Sequence, residues 1–111
     1  MPQVKICGIT NLKDAGIAID AGADFLGFIC YPKSSRYVAP ARIAGILSDL
    51  RSFGFTQDRP LSAHLRTVGV FVNESLKSIR QILAQTGLDL AQLHGGESPQ
   101  VLKQLNGRAF K

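Results

Sequence analysis

Apolar and polar positions along the chain alternate between two spacings, one typical of a buried strand and one typical of an amphipathic helix. Four mostly apolar runs match buried strands, and the second of them is apolar on both faces, as is typical of a parallel sheet. These runs cover residues 4–7, 25–30, 68–72 and 88–93, and residues 108–111 resemble the beginning of a fifth strand. A segment with helical spacing follows each of the four runs. The pattern therefore predicts four strand–helix units in strict alternation.

The predicted helices are bounded by residues that commonly begin and end helices. They are expected to begin near Asn11, Pro40, Asn73 or Glu74, and Ser98, and three of them to end at Gly22, Gly87 and Gly107. In the second helix Ile43, Ile46, Leu47 and Leu50 recur at a spacing that places them on one face. Residues 52–66 show no sustained period, and we interpret them as a long connector.

Strict alternation of strands and helices requires parallel strands joined by right-handed crossovers. The two architectures that fit are an open doubly wound sheet and a (β/α)8 barrel of the TIM type. No strand is followed by a glycine-rich dinucleotide fingerprint, which favours the barrel. Because eight units typically need about 250 residues, the 111 residues correspond to half of a single α/β barrel domain.

Charge and composition narrow the function classes. Thirteen Lys and Arg residues against eight Asp and Glu residues give a net charge of +5, which suits an anionic small molecule. The basic residues are scattered, so nucleic acid is not an expected partner. No apolar run has membrane-spanning length and no signal-peptide pattern is present, so we expect a soluble, cytoplasmic protein without a membrane partner. Two distant cysteines fit neither a disulfide framework nor a metal site and are expected to be free thiols.

The first strand carries the most promising reactive group of the chain. Because side chains alternate along a strand, Val4 and Ile6 are expected to pack on helices while Lys5 and Cys7 point to the barrel axis, about 7 Å apart along the strand. We hypothesise that the Lys5 ammonium holds Cys7 partly as the thiolate, which the alkylation rate of a Lys5→Met variant would test. The alternative is that Cys7 is a small buried hydrophobic residue. Its place at the carboxyl end of a strand, where barrel active sites lie, favours the functional interpretation.

Five blocks of sequence carry a resemblance to a known family. They are KICGITN at 5–11, GFI at 27–29, YPKSSRY at 31–37, VGVFVN at 68–73 and QLHG at 92–95. Each block alone is modest evidence, but five in this order are specific. Together they resemble the amino-terminal half of phosphoribosylanthranilate isomerase, over residues 4–111. The resemblance implies a (β/α)8 barrel of tryptophan biosynthesis that ends here at the start of the fifth strand.

The family converts N-(5-phosphoribosyl)anthranilate to 1-(2-carboxyphenylamino)-1-deoxyribulose 5-phosphate by an Amadori rearrangement that uses no cofactor or metal. By resemblance, Cys7 is the base that takes the sugar proton, and Arg36 contacts the anthranilate carboxylate. From the residues alone, an ordinary solvated loop arginine is an equally good interpretation of Arg36. Lys5, Gln92 and His94 are expected to support the site. The family's acid, an aspartate on a later strand, and its phosphate loops are expected to lie beyond residue 111.

Other polar residues are weaker candidates for chemistry. Asp14, Asp20, Asp24 and Asp89 are expected to be caps and turn residues, and the Gly95-Gly96 pair is too weak a signal for phosphate binding. Two positions depart from the family pattern. Cys30 stands where relatives usually carry phenylalanine, and Ser35 where many carry proline.

Two functions follow from these observations. The first is an isomerase acting on an anionic phosphosugar, although the 111 residues alone are expected to be inactive without the acid. The second is a non-catalytic half-barrel that associates with itself, or with another chain, through exposed strand edges and at most binds anionic phosphosugars.

Overall fold

The computed structural model describes residues 3–52, 65–97, 99–105 and 107–110. Within these ranges five strands form one parallel sheet in the order β1-β2-β3-β4-β5. The strands are β1 (Lys5–Ile6), β2 (Phe25–Ile29), β3 (Arg66–Phe71), β4 (Leu90–Leu93) and β5 (Ala109–Phe110). Each strand lies beside the one that precedes it in sequence. This order has no reversal, as predicted for part of a barrel and in contrast to a doubly wound sheet.

A helix follows each of the first four strands, which confirms the predicted alternation. The helices are α1 (Leu12–Asp20), α2 (Pro40–Ser52), α3 (Leu76–Thr86) and α4 (Pro99–Gln104). None of these described helices is both long enough and apolar enough to cross a membrane. Most of the predicted connector between α2 and β3 lies outside the described residues, as do Ser98, Asn106 and Lys111.

The hydrophobic core lies between the helices and one face of the sheet. Residues at alternate positions of β2, β3 and β4 point to this outer face, because successive side chains of a strand point to opposite sides. They are Leu26, Phe28, Phe71, Ala91 and Leu93, all fully or almost fully buried. The predicted apolar face of α2 packs against them: Ile43, Ile46, Leu47 and Leu50 are each at most 5% exposed.

The caps of α1 and α3 show where local sequence is informative. Asn11 caps α1 as predicted, since its side chain accepts a hydrogen bond from the Asp14 backbone N–H at 2.8 Å. Gly87 ends α3 as predicted, with a left-handed backbone at φ 82°. The prediction that Asn73 or Glu74 opens α3 is wrong, because Ser75 is the cap and its hydroxyl accepts from the Ser78 N–H at 3.1 Å.

The first strand is shorter and less buried than expected. It covers two residues, and Val4 and Ile6 remain 48% and 37% exposed. The expectation that these two side chains pack on helices is therefore met in part, since about half of Val4 and more than a third of Ile6 remain exposed. In the described part of the chain β1 is paired with β2 on one side and with no strand on the other. Few residues therefore cover the side chains of β1.

Two glycines offer a matched test of packing. A Cβ at Gly69 would lie 2.8 Å from Leu88 Cδ1, 3.1 Å from Phe71 Cε2 and 3.3 Å from Cys30 Sγ, whereas a Cβ at Gly45 would meet nothing within 4 Å. We expect Gly69→Ala to lower the free energy of unfolding by about 1–3 kcal/mol through overpacking. Gly45→Ala in α2 should raise it by about 0.5–1 kcal/mol, since alanine favours the helix. Urea unfolding measures both, and equal effects of the two variants would contradict this account of the core.

Candidate active site

Cys7 directly follows β1, on a turn that is fixed to the neighbouring strand. The backbone N–H groups of Gly8 and Ile9 both donate to the Gly27 carbonyl, at 3.0 and 3.0 Å. Gly8 has φ 83°, a conformation that side chains other than glycine rarely adopt. Cys7 is an exposed, free thiol. The turn thus presents one sulfur atom at the carboxyl end of the sheet.

Gly27 of β2 provides the space in which the Cys7 and Lys5 side chains lie together. A Cβ on Gly27 would be 3.1 Å from Cys7 Sγ and 3.1 Å from Lys5 Cε. The two side chains therefore share the inner face of the sheet, as the alternation of the strand predicts. Lys5 Nζ in turn donates to Gln92 Oε1 of β4. The inner face brings Lys5, Cys7 and Gln92 to one region although β1 and β4 are not adjacent strands.

Arg36 reaches the same turn from the loop between β2 and α2. Its Cδ would lie 2.9 Å from a Cβ at Gly8, so the aliphatic part of the side chain packs directly over that glycine. Its Nη1 donates to the Gly8 carbonyl at 3.4 Å. A guanidinium has five N–H donors, which leaves several for an anionic group. The side chain is exposed and can meet a carboxylate from solvent.

A cavity of about 290 Å³ is lined by Cys7, Gly8 and Arg36 together with residues of β1 and α1. Asp14 and Ile17 of α1 are among its lining residues. A second cavity, of about 360 Å³, is lined by Lys5 together with side chains of β2, β4 and β5. Space for a ligand is therefore present beside both Cys7 and Lys5.

His94 is separate from this group. Its backbone N–H donates to the Phe71 carbonyl at 2.8 Å, and its side chain is exposed at the end of β4. Among the described contacts, none joins the imidazole to Lys5, Cys7 or Arg36. The structure thus assembles Lys5, Cys7, Gln92 and Arg36 but leaves the expected support from His94 as a prediction.

Three aspartates have structural partners, in agreement with their interpretation as caps and turn residues. Asp14 accepts from Asn11 Nδ2 at 3.0 Å, and Asp24 from the Val4 N–H at 2.8 Å. Asp89 accepts from the Thr67 N–H at 2.8 Å and from its hydroxyl at 3.1 Å. Within the described ranges, no group of three or more His, Cys, Asp or Glu residues is placed to hold a metal ion.

Two polar residues that the sequence did not mark as site residues, Asn73 and Glu97, join the loops after β3 and β4. The Glu97 carboxylate accepts from the Asn73 N–H at 2.7 Å and from the Gly95 N–H at 2.8 Å. Asn73 Oδ1 accepts from the Gly96 N–H at 2.7 Å. The available sequence signal was a turn-favouring Asn at a strand end and a Glu after two glycines, which is weak without knowledge that the two loops meet.

Cys30 differs from Cys7 in its exposure and in its position in the fold. It is 4% exposed, on the outer face of the sheet, with its sulfur 3.8 Å from the Phe28 carbonyl oxygen. Burial raises the pKa of the Cys30 thiol to about 12, and the nearby Glu74 carboxylate adds to the effect. Cys30 is therefore protonated at neutral pH and is not a candidate base.

A parallel sheet in sequence order, with a thiol and an arginine at the carboxyl ends of its strands, has the architecture of part of a (β/α)8-barrel enzyme. The family model for N-(5'phosphoribosyl)anthranilate (PRA) isomerase matches residues 4–111. The chain belongs to this family, which confirms the resemblance that the five sequence blocks carry.

Named relatives agree with the family match. The N-(5'-phosphoribosyl)anthranilate isomerase of Thermotoga neapolitana is 46% identical over 106 residues, which are 96% of this chain and 46% of that protein. The isomerase of Pelobacter propionicus is 45% identical over 111 residues, or 100% of this chain and 48% of that protein. The chain thus spans about half the length of these curated relatives.

Solved structures of the family have the same fold. Phosphoribosylanthranilate isomerase from Thermotoga maritima superimposes with a TM-score of 0.83 at 37% identity, covering 99% of this chain and 48% of that one. A phosphoribosylanthranilate isomerase in complex with reduced 1-(o-carboxyphenylamino)-1-deoxyribulose 5-phosphate also gives 0.83 at 37% identity, covering 99% and 51%. These matches confirm the predicted TIM-barrel type of fold, of which this chain corresponds to about half.

The buried thiol predicts a specific pH dependence of stability. Because the folded-state pKa of Cys30 lies above its ordinary value of 9.0, its contribution is complete below pH 9 and is lost as pH rises towards 12. The free energy of unfolding should fall by up to about 1.4 kcal/mol per pH unit above pH 9. We expect Cys30→Val, which removes the ionisable group, to lack this component. Urea unfolding from pH 7 to 10.5 measures the difference between the two proteins, and parallel curves would contradict the prediction.

Proposed function

We propose that this chain supplies the base and the carboxylate-binding arginine of a phosphoribosylanthranilate isomerase. The reaction is the Amadori rearrangement of N-(5'-phosphoribosyl)anthranilate. The observation that carries the proposal is the contact of Arg36 with the turn that presents Cys7, since Arg36 packs on Gly8 and donates to its carbonyl. Family membership over residues 4–111 supports the same assignment.

The rearrangement needs two proton transfers that one residue does not perform at once. An acid protonates the ribose ring oxygen so that the ring opens, and a base removes the proton from the sugar carbon next to the one that carries nitrogen. Cys7 is proposed as the base, because its sulfur is exposed at the strand end. The Lys5 side chain beside it is proposed to stabilise negative charge on the sulfur, while its bond to Gln92 fixes the position of the ammonium.

Arg36 is proposed to orient the substrate. The anthranilate carboxylate is planar and matches the paired N–H groups of a guanidinium. With the carboxylate on Arg36, the sugar extends past Gly8 towards Cys7. Positioning of this kind accounts for a substantial part of enzymatic rate acceleration. The substrate's negative charges also suit the net charge of +5.

A second candidate function is self-association through the edges of the sheet. Val4 and Ile6 at one edge are 48% and 37% exposed, and Phe110 at the other is 37% exposed. Unpaired edges with exposed apolar side chains favour pairing with another chain. One structure of the family, at 38% identity and a TM-score of 0.81, is of monomers of the dimeric isomerase from Thermotoga maritima. We propose that the sheet edges pair with a second copy.

The isomerase proposal is tested in a chimera of residues 1–111 with the complementary half of the Thermotoga neapolitana relative. We expect isomerisation by the chimera and a loss of about 10²- to 10⁴-fold in kcat with Cys7→Ala, the usual size of a general-base contribution. Arg36→Met should chiefly raise KM. Cys30→Val is the matched control and should keep kcat. Full activity of the Cys7→Ala chimera would overturn the proposal, and the 111 residues measured alone would show whether they need the second half.

Self-association is tested by light-scattering mass across protein concentration. We expect a dimer that Val4→Lys shifts to the monomer, since a charge at a sheet edge opposes pairing. Ala41→Lys, on the exposed face of α2, makes the same charge change away from the edges and should leave the dimer intact. A monomeric mass of the unmodified chain at every concentration would overturn the second candidate.

A further inference from the structure

The loops that follow β3 and β4 are joined by a bridge of two side chains, Asn73 and Glu97. One Glu97 oxygen accepts from the Asn73 N–H at 2.7 Å and the other from the Gly95 N–H at 2.8 Å. Between the same two loops, Asn73 Oδ1 accepts from the Gly96 N–H at 2.7 Å. A carboxylate that accepts backbone N–H groups makes stronger bonds than a neutral acceptor. The three bonds therefore hold the two loops at a fixed distance.

The backbone at the bridge is shaped for these contacts. Asn73 has φ 51°, the one positive φ outside glycine among the described residues. Asparagine tolerates this conformation better than most residues. A left-handed backbone outside glycine persists where neighbouring contacts stabilise it. A Cβ at Gly95 would lie 2.6 Å from Asn73 Oδ1 and 2.8 Å from the Asn73 nitrogen. The two loops thus approach more closely than a side chain at Gly95 would permit.

The bridge holds the backbone that directly follows His94. The His94 N–H donates to the Phe71 carbonyl at 2.8 Å. This hydrogen bond fixes the His94 backbone on its amino-terminal side. The next N–H, of Gly95, is held by Glu97. The His94 backbone is consequently fixed on both sides, at the carboxyl end of β4. Cys7 occupies the corresponding end of β1 in the same parallel sheet.

We propose that Asn73 and Glu97 are positioning residues that hold the His94 imidazole in a defined place at the carboxyl end of β4. The importance of this positioning for catalysis rests on the proposed isomerase function. The positioning itself does not depend on that function. Neither residue needs to touch the substrate. Both act through the backbone of the loop after β4, whose direction decides where the imidazole lies.

Four variants separate positioning from a general effect on stability. Glu97→Gln keeps the shape but replaces one accepting oxygen by an NH₂ group, so one backbone N–H loses its partner. Asn73→Gly removes Oδ1 without adding strain, because glycine adopts positive φ readily. Asn73→Asp keeps an acceptor for Gly96 and is the rescue variant. Asp49→Asn, on the exposed surface of α2, makes the same charge change as Glu97→Gln and is the control.

The measurement is NMR of the 111-residue chain, with amide hydrogen exchange and the ring signals of His94 followed together. We expect Glu97→Gln to speed exchange at Asn73 or Gly95 about tenfold or more, as for a lost charged hydrogen bond. Asn73→Gly should do so at Gly96. Both variants should shift the His94 ring signals, whereas Asn73→Asp and Asp49→Asn leave them in place.

Unchanged His94 ring signals in both Glu97→Gln and Asn73→Gly would overturn the proposal, even with faster loop exchange. Faster exchange throughout β3 and α3 would also overturn it, because the bridge would then be part of general stability. These readouts need no substrate. An inactive chimera with normal His94 signals would therefore count against the proposed isomerase and leave the positioning role standing.

Discussion

The missing side chain at Gly27 is the constraint on which the site depends. Its carbonyl accepts the N–H groups of Gly8 and Ile9, so the turn after β1 lies directly against β2. The space above it holds Cys7 Sγ and Lys5 Cε, each 3.1 Å from where a Cβ would be. A side chain at this position would displace the thiol or the ammonium. The same glycine thus fixes the backbone that carries Cys7 and leaves room for its side chain.

Two thiols in one short chain show how position in a parallel sheet decides chemistry. Cys7 lies past the end of an edge strand and is exposed, whereas Cys30 lies between sheet and helices at 4% exposure. Desolvation keeps the buried thiol protonated far above neutral pH. The contrast is one of environment, since the side chains are chemically identical. It also explains why composition alone does not distinguish the exposed cysteine from the buried one.

Much of the fold could be predicted because burial imposes a period on the sequence. Ile43, Ile46, Leu47 and Leu50 show the helical spacing and are buried as that spacing requires. The cap of α3 was mispredicted because several residues before Leu76 are suitable caps, and the choice among them depends on what Asn73 contacts in the loop after β4. A local pattern contains no information about that distant loop.

The site was predictable in part for the same reason. The face shared by Lys5 and Cys7 follows from strand alternation, and Arg36 followed from family resemblance. The Lys5–Gln92 contact and the Asn73–Glu97 bridge depend on how strongly the sheet curves and how its loops meet. Sequence spacing does not determine either quantity. Contacts between elements distant along the chain are therefore where the structure added most.

The sequential order of the strands has a consequence for how the molecule forms. Each strand from β2 onward pairs with the strand immediately before it. The two strands of each pair are therefore separated in sequence by one helix and the loops on either side of it. Closing a short loop costs less entropy than closing a long one, so each of these pairings costs less than a pairing between strands distant in sequence. The pairing of β2 with β1 involves no residue of the later strands. The turn bearing Cys7 can then find its anchor at Gly27 while most of the sheet is still to come.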